Sequence, residues 1–475
     1  MTRSSDGFSF RLGSEVIVRL CGLVTLPLLT RTLGSDGYGV VIGTASLAGL
    51  GGAIGSLGLS YHVGRIVGRG ESPESRRLLR QLLILAGTTG LCLAGAMAFA
   101  APLLNGLLFG HADGRTAIML LGGSLIAICV DGILLEWLRL RDRFRSLSLI
   151  QAVTAVLQVG MIVVLARAGW GPAAVVAGVS LLQLLRVSLM AALIHYTPRA
   201  RAAGDTAFDL DLATCLRDGA TLTLGTLGTW GLSQGGRLIL GSATAIGGYG
   251  VAAALASAPG IAGSAGGLPL YPSLVRAVAA QRPRAAATAI RRFSTSYQLL
   301  TLPVLAIAAV LSEHAIQLLA GSGFVGLGPV CILLMLAGWI EMSALPLTYL
   351  LAARGWASRT RNAQIAAAAL NLVTAVVAVP VMGAIGVAVA LLAGQVAMVA
   401  LLVWGLRHAS FPWRALVPRK WSGILLAALI GAGIAGAIPS AHWLGLLAAG
   451  AAAVAAAASV ASWSFHRPAR GPRET

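Results

Sequence analysis

Apolar positions along this chain come in long unbroken runs. They do not show the strict alternation of a half-buried strand or the one-sided stripe of a surface helix. The interruptions are clusters of arginine or Gly/Pro breaks. Splitting the chain at these points predicts fourteen helical spans, at about 13–33, 38–60, 81–101, 116–137, 146–168, 173–195, 219–240, 248–270, 294–312, 329–351, 363–381, 385–405, 421–439 and 443–465. Each run comes close to the ~20 residues a helix needs to cross a hydrocarbon core about 30 Å thick. Helices satisfy their own backbone polar groups, which find no water there. Strands of a membrane barrel would read as ~10-residue alternating segments, so a barrel is excluded. The connectors are too short to hold a folded extramembrane domain. The expected fold class is all-α: a polytopic membrane protein of about fourteen transmembrane helices.

Composition agrees. Of 475 residues, 57% are hydrophobic and only 11% are charged, against about 25% charged in a soluble protein. Mean hydropathy is +0.84. A secreted or cytosolic enzyme is excluded. Met1 to Arg11 is short and polar, and the first apolar run contains Glu15 and Arg19 without a small-residue cleavage site. It reads as a retained first helix, not a signal peptide. Five scattered cysteines have no metal-ligand spacing, and neither a disulfide nor a metal site is expected.

The net charge of +19 would suggest nucleic acid in a soluble protein. Its distribution says otherwise. With the N-terminus inside, 29 of the 35 basic residues fall in cytoplasmic segments and three (Arg31, Arg115, Arg167) near outer ends. Such a bias is the positive-inside pattern. It places both termini in the cytoplasm and accounts for the charge with no nucleic-acid partner. The last three, Arg19, Arg186 and Arg237, lie inside spans.

Landmarks recur at one spacing. LGSDGYG (Leu33 to Gly39) closes the first span and LGSATAIGGYG (Leu240 to Gly250) the seventh, with Tyr38 and Tyr249 211 positions apart. Spans four and ten carry lone acids, Asp131 and Glu341, 210 apart. The turns GWGP (Gly169 to Pro172) and GAIG (Gly383 to Gly386) repeat at 215. Two six-helix lobes of like topology are expected, 1–204 and 205–415, followed by two extra helices and a cytoplasmic tail in 416–475. Parallel repeats of this kind suit transporters that rock two lobes about a central site.

The chemistry present narrows the function. There is no GxxxxGK[ST] phosphate loop, no HExxH and no CxxC. No cofactor is expected. The outer loops offer only the distant acids Asp36, Asp113 and Glu313, too few for a glycosyltransferase or glycan polymerase site. What remains is charge at bilayer depth, which costs at least ~2.5 kcal/mol per group unless it faces a cavity or a partner. Glu15 and Arg19, spaced i, i+4, either neutralise each other or leave Arg19 lining a cavity. Arg237 either reaches the outer interface or serves the same cavity. Arg186 lies mid-span and points to a cavity or an internal ion pair. Asp131 and Glu341 either satisfy a neighbouring helix or take part in cation coupling. Gly49, Gly51, Gly52, Gly55 and Gly58 in span two, and Gly260, Gly263, Gly266 and Gly267 in span eight, permit close helix approach or bending.

The stretch Leu28 to Arg69 (LLTRTLGSDGYGVV…IGSLGLSYHVGRIVGR) resembles the opening of bacterial Wzx-type polysaccharide flippases, of the multidrug/oligosaccharidyl-lipid/polysaccharide exporter superfamily. LPLYPSLVRAVAAQ (Leu268 to Gln281), TYLLAARGWASRTRNAQ (Thr348 to Gln364), Asn371 and the Pro380 to Gly386 turn agree with it. One position departs: where such proteins often have an Asp before the Arg of span seven, Gly236 precedes Arg237. The resemblance implies a MATE-like fold and no enzyme. It implies a flippase carrying undecaprenyl-diphosphate-linked oligosaccharide across the bacterial cytoplasmic membrane for O-antigen, capsule or exopolysaccharide synthesis. Its partners would be that lipid-linked glycan, membrane lipids and a polysaccharide polymerase or export machinery. Arg19, Arg186 and Arg237 are the candidate contacts for the diphosphate. The competing readings are a lipid II flippase, a cation-coupled multidrug exporter and a membrane glycosyltransferase or polymerase.

Overall fold

The computed structural model describes residues 2–68, 73–110, 112–141, 143–195 and 212–406. The spans expected near 421–439 and 443–465, and the tail, lie outside the described residues. Among the described residues there is no strand. The helices are α1 (Thr2–Gly55), α2 (Ser60–Gly68), α3 (Pro73–Leu108), α4 (Ala112–Leu120), α5 (Gly122–Leu140), α6 (Phe144–Arg167) and α7 (Pro172–His195). After them come α8 (Leu212–Trp230), a π-helical turn (Gly231–Gly235), α9 (Gly236–Leu238), α10 (Ala243–Leu255), α11 (Ala258–Ala279) and α12 (Pro283–Ala320). The last three are α13 (Gly328–Ser343), α14 (Leu345–Ala353) and α15 (Ala357–Leu406). The fold is all-α and polytopic, as the run lengths require.

Two of these helices are too long to be one span. The 50 residues of α15 would reach about 75 Å at 1.5 Å per residue, more than twice a hydrocarbon core. The chain breaks it at Gly383 (φ 55°, ψ −130°), and breaks α1 at Gly34 (φ 68°, ψ −172°). Both conformations are left-handed, which glycine adopts without a Cβ penalty. The breaks fall between the expected spans 13–33 and 38–60, and between 363–381 and 385–405. Among the described residues, seven helical stretches can cross a membrane by length and hydropathy, or eight if the pair Ala243–Leu255 and Ala258–Ser264, bent by 45°, counts as one. Two of the seven each hold two spans. α8 is outside that set: it carries Arg217, Asp218 and five threonines. Their hydroxyls return to the helix: Thr223 Oγ1 donates to Gly219 O at 3.0 Å, and Thr229 Oγ1 to Gly225 O at 3.1 Å.

The described residues form two compact units. The first comprises Met1–Val251, Leu319–Phe324 and Gln364–Ala390. Its interior is built by Val40, Leu47, Phe109, Ile118, Leu125 and Ile246, each 3% exposed or less. Glycines bring its helices together. A Cβ on Gly51 would meet Leu125 of α5, one on Gly52 would meet Ile128, and one on Gly55 would meet Cys129. In the second unit (Ala252–Leu318, Val325–Ala363 and 391–406 of the described residues), Gly263 faces Met342 and Gly267 faces Leu345 in the same way. Gly51, Gly52 and Gly55 of span two and Gly263 and Gly267 of span eight therefore serve close packing, while Gly260 has open space around it.

Outside the apolar stretches, Glu313 near the end of α12 ties down the loop that follows. Its carboxylate accepts the backbone N–H groups of Gly326 and Gly328, both at 2.7 Å, and the Gln317 amide at 3.2 Å. Burial works against its charge, but the two backbone amides, the Gln317 amide and nearby His314 outweigh it and hold the carboxyl below the ordinary glutamate range.

Candidate functional site

The sequence placed six ionisable residues at bilayer depth. The side chains of Glu15 and Arg19 lie outside the described residues. The structure places the other four in three local arrangements.

Asp131 on α5 and Arg186 on α7 meet each other. Arg186 Nη2 lies 2.7 Å from Asp131 Oδ1, and Nε donates to the same oxygen at 3.1 Å. Their side chains are 31% and 19% exposed, Arg186 the more open of the two. Of the two alternatives for Arg186, the internal ion pair is the one formed.

Glu341 on α13 meets Gln395 on α15. Gln395 Nε2 donates to Glu341 Oε2 at 3.3 Å. Gln395 is 2% exposed, and its Oε1 is buried without a hydrogen-bond partner. Tyr297 of α12, 4% exposed, is within electrostatic reach of Glu341. Gln395 escaped the sequence reading because a single Gln in an apolar run carries no sign of its partner. The repeat spacing could have found it, since Gln395 follows Arg186 by 209 positions.

Arg237 occupies a third setting, which the local sequence builds. α8 passes into the π-helical turn Gly231–Gly235 before α9. A π turn takes in one residue more than a regular turn, and such turns concentrate at functional sites. The widened turn leaves the Gly231 and Leu232 carbonyls in need of donors. Asn371 of α15 supplies both, Nδ2 lying 3.1 Å from each oxygen. Asn371 is 1% exposed, and its Oδ1 is buried with no partner. The turn is pressed onto α15: a Cβ on Gly235 would lie 2.9 Å from Leu372 Cδ2, and one on Gly236 2.9 Å from Val387 Cγ1. The space an Asp at 236 would need is thus filled by Val387. Trp230 Nε1 anchors the end of α8 to the Ser46 carbonyl of α1 at 3.0 Å.

Arg237 follows directly. Its Nε is buried and makes no hydrogen bond, and among the described residues no carboxylate lies within ion-pair distance of it. Tyr38 and Tyr249, 4% and 3% exposed, are within its electrostatic reach. A guanidinium is permanently charged and presents a planar fork of donors that matches phosphate oxygens. Arg186 spends its fork on Asp131, whereas Arg237 Nε has no acceptor among the described residues.

The comparisons with known proteins agree with this architecture. No curated protein matches the chain in sequence. Among solved structures, the lipid II flippase MurJ in an inward closed conformation superposes with a TM-score of 0.70 at 14% identity, covering 96% of this chain and 99% of that one. The MATE multidrug transporter DinF-BH superposes at 0.60 with 14% identity, covering 86% and 95%. An inward-facing multidrug resistance MATE transporter of the MOP superfamily gives 0.58 at 15% identity, covering 87% and 99%. At these identities the likeness is one of fold, the MATE-like fold of that superfamily. The profile of the polysaccharide biosynthesis protein family matches residues 4–278, more than half of the sequence, and the chain belongs to that family.

Proposed function

We propose that this protein is a flippase moving undecaprenyl-diphosphate-linked oligosaccharide from the inner to the outer leaflet of the cytoplasmic membrane, for O-antigen, capsule or exopolysaccharide synthesis. Two lobes, 1–204 and 205–415, alternate access to a cationic central path, with 416–475 flanking them and both termini in the cytoplasm. A polymerase or export machinery receives the glycan.

The observation that supports this reading is Arg237, a cation with a buried, partnerless Nε beside two buried tyrosines. A diphosphate supplies the acceptor such a fork lacks. Arg19 adds positive potential. Arg186, balanced by Asp131, contributes by orienting that pair and holding its two helices. Glu341 is hydrogen-bonded to a neutral amide and is the carboxyl that carries a coupling proton or cation. The inside-negative potential adds about 2.3 kcal/mol per anionic charge per 100 mV in the outward direction.

The test is surface display of glycan in a flippase-null strain. Arg237→Ala abolishes display, by tenfold or more, while the protein still accumulates in the membrane. Arg237→Lys keeps part of it, because a point charge survives and the fork does not. Normal display with Arg237→Ala overturns the assignment. A second reading, lipid II as cargo, is favoured by the fold match to MurJ over 96% of the chain. Rescue of cells depleted of their lipid II flippase selects it, and failure there with rescue of the glycan-flippase mutant selects the first.

A further inference from the structure

From Met342 to Thr475 the sequence has ten basic residues and one acid, Glu474. The positive-inside pattern accounts for the side these charges take. It does not supply what balances them. Arg354, Arg359 and Arg361 are among the described residues, at the junction of α14 and α15, where local structure gathers two of them onto one indole.

α14 ends in a Schellman turn. The Gly355 N–H donates to Ala352 O at 3.0 Å and the Trp356 N–H to Leu351 O at 2.8 Å. Gly355 supplies the left-handed residue the turn requires (φ 77°). Trp356 is thereby set between the end of α14 and the start of α15. Arg354 and Arg359 both lie against its ring, their guanidinium carbons 5.6 and 4.2 Å from the centroid. Arg359 Nη1 also donates to the carbonyl of Gly405, near the far end of α15. Arg361 Nε donates to Asn362 Oδ1 at 3.2 Å. All of these residues belong to the second unit.

The first unit handles the same chemistry differently. At the end of α5, Arg141 lies over the Trp137 ring at 5.0 Å, and Glu136 stands in the same turn, 3.8 Å from Arg139. That arginine–tryptophan contact has a carboxylate beside it. Around Trp356, among the described residues, no carboxylate lies within ion-pair distance of Arg354, Arg359 or Arg361. The counter-charge there has to come from outside the described chain.

The side chains indicate which anion fits. A guanidinium carries five N–H donors in a planar fork. Among the described residues Arg354 meets no acceptor, and Arg359 meets one, the Gly405 carbonyl. Such forks match phosphate oxygens bidentately. Tryptophan is the side chain of the headgroup level, and basic clusters next to a membrane span attract anionic headgroups. Arg359 is tied to α15 through Gly405, which fixes the cluster at one face of the membrane and suits a lipid that stays in its leaflet.

We propose that Arg354, Trp356 and Arg359 form a binding site for the phosphate of an anionic phospholipid of the inner leaflet, such as phosphatidylglycerol. The site rests on the inside placement of this junction in the reading above, and it is independent of the cargo.

The test uses the full chain purified in detergent and titrated with phosphatidylglycerol or phosphatidylcholine, with bound lipid read by native mass spectrometry. The wild type binds phosphatidylglycerol about tenfold more tightly than phosphatidylcholine. Arg354→Gln with Arg359→Gln abolishes that preference. Arg354→Lys with Arg359→Lys retains most of it, which separates a lost site from a lost fold. Arg282→Gln with Arg284→Gln removes two exposed charges elsewhere and changes the preference by less than about twofold. A preference that survives Arg354→Gln with Arg359→Gln overturns the site. So does equal loss in the two glutamine pairs, which makes the preference a property of the overall charge bias. Undecaprenyl diphosphate added in equal amount leaves the bound phosphatidylglycerol in place. Displacement overturns the proposal and makes the cluster a loading point for the carrier. Failure of the wild-type chain to restore glycan display would reject the cargo and leave each of these outcomes decisive.

Discussion

Asp131 and Glu341 stand 210 positions apart, each within an apolar span, and each reaches a side chain about two helices later. Asp131 meets Arg186, 55 positions on, and Glu341 meets Gln395, 54 positions on. The geometry is the same device used twice: an acid on one helix and a long nitrogen-bearing side chain on another. The chemistry differs. In the first pair a guanidinium cancels the carboxylate through two contacts to one oxygen. In the second a neutral amide offers one hydrogen bond, and the carboxyl must find its counter-charge elsewhere or hold a proton. A repeated fold conserves where polar side chains meet more readily than what charge they carry.

The comparison can be broken from either side. The largest effect belongs to Arg186→Ala, which strands Asp131 in an apolar helix. Breaking a buried pair costs about 3–5 kcal/mol, and the partial exposure of this one lowers that to about 2–3 kcal/mol. Thermal unfolding in detergent reads the loss, and Arg186→Ala combined with Asp131→Ala recovers most of it. A double variant no more stable than the single one would mean that Asp131 was never the charge at issue.

Next comes Gln395→Arg, which rebuilds the first pair in the second position. The expected result is a chain more stable by about 1 kcal/mol whose glycan display falls several-fold, because a fixed cation replaces an exchangeable one. Unchanged display would show that Glu341 takes no part in coupling. The smallest effect on stability is that of Glu341→Gln, under about 1 kcal/mol, since an amide can still exchange a hydrogen bond with Gln395. A loss as large as that of Arg186→Ala would mean the two carboxyls are held alike.

Much of the fold was legible because the bilayer imposes one length and one pattern. The runs gave the helices, and the glycine turns at Gly34 and Gly383 gave breaks that no composition average contains. Helices among the described residues lie at the positions of the first twelve expected spans. The acids Asp131 and Glu341 and the cations Arg186 and Arg237 stood out because charge in an apolar run is costly whatever it touches. Their partners did not. Gln395 and Tyr297 are ordinary residues for a membrane helix, and only the crossing of distant segments gives them a role. Asn371 was visible as a motif position, but its task, supplying donors to Gly231 and Leu232, depends on a π turn that no periodicity announces. Gly236 marked a departure from the family pattern, and the structure supplies its physical counterpart in Val387.

The π turn before Arg237 has a consequence in the arithmetic of helix phase. Each residue of a regular helix advances about 100° around the axis. One surplus residue in Gly231–Gly235 therefore sets everything after it about 100° out of register with α8. Closing that turn into a regular helix with the same number of residues would swing Arg237 by over a quarter of a circle, away from Tyr38 and Tyr249. It would also return the Gly231 and Leu232 carbonyls to intrahelical donors and leave the Asn371 amide with nothing to bond. The surplus residue and the asparagine 140 positions later thus form one unit of inheritance: either alone is a defect, and together they aim a cation.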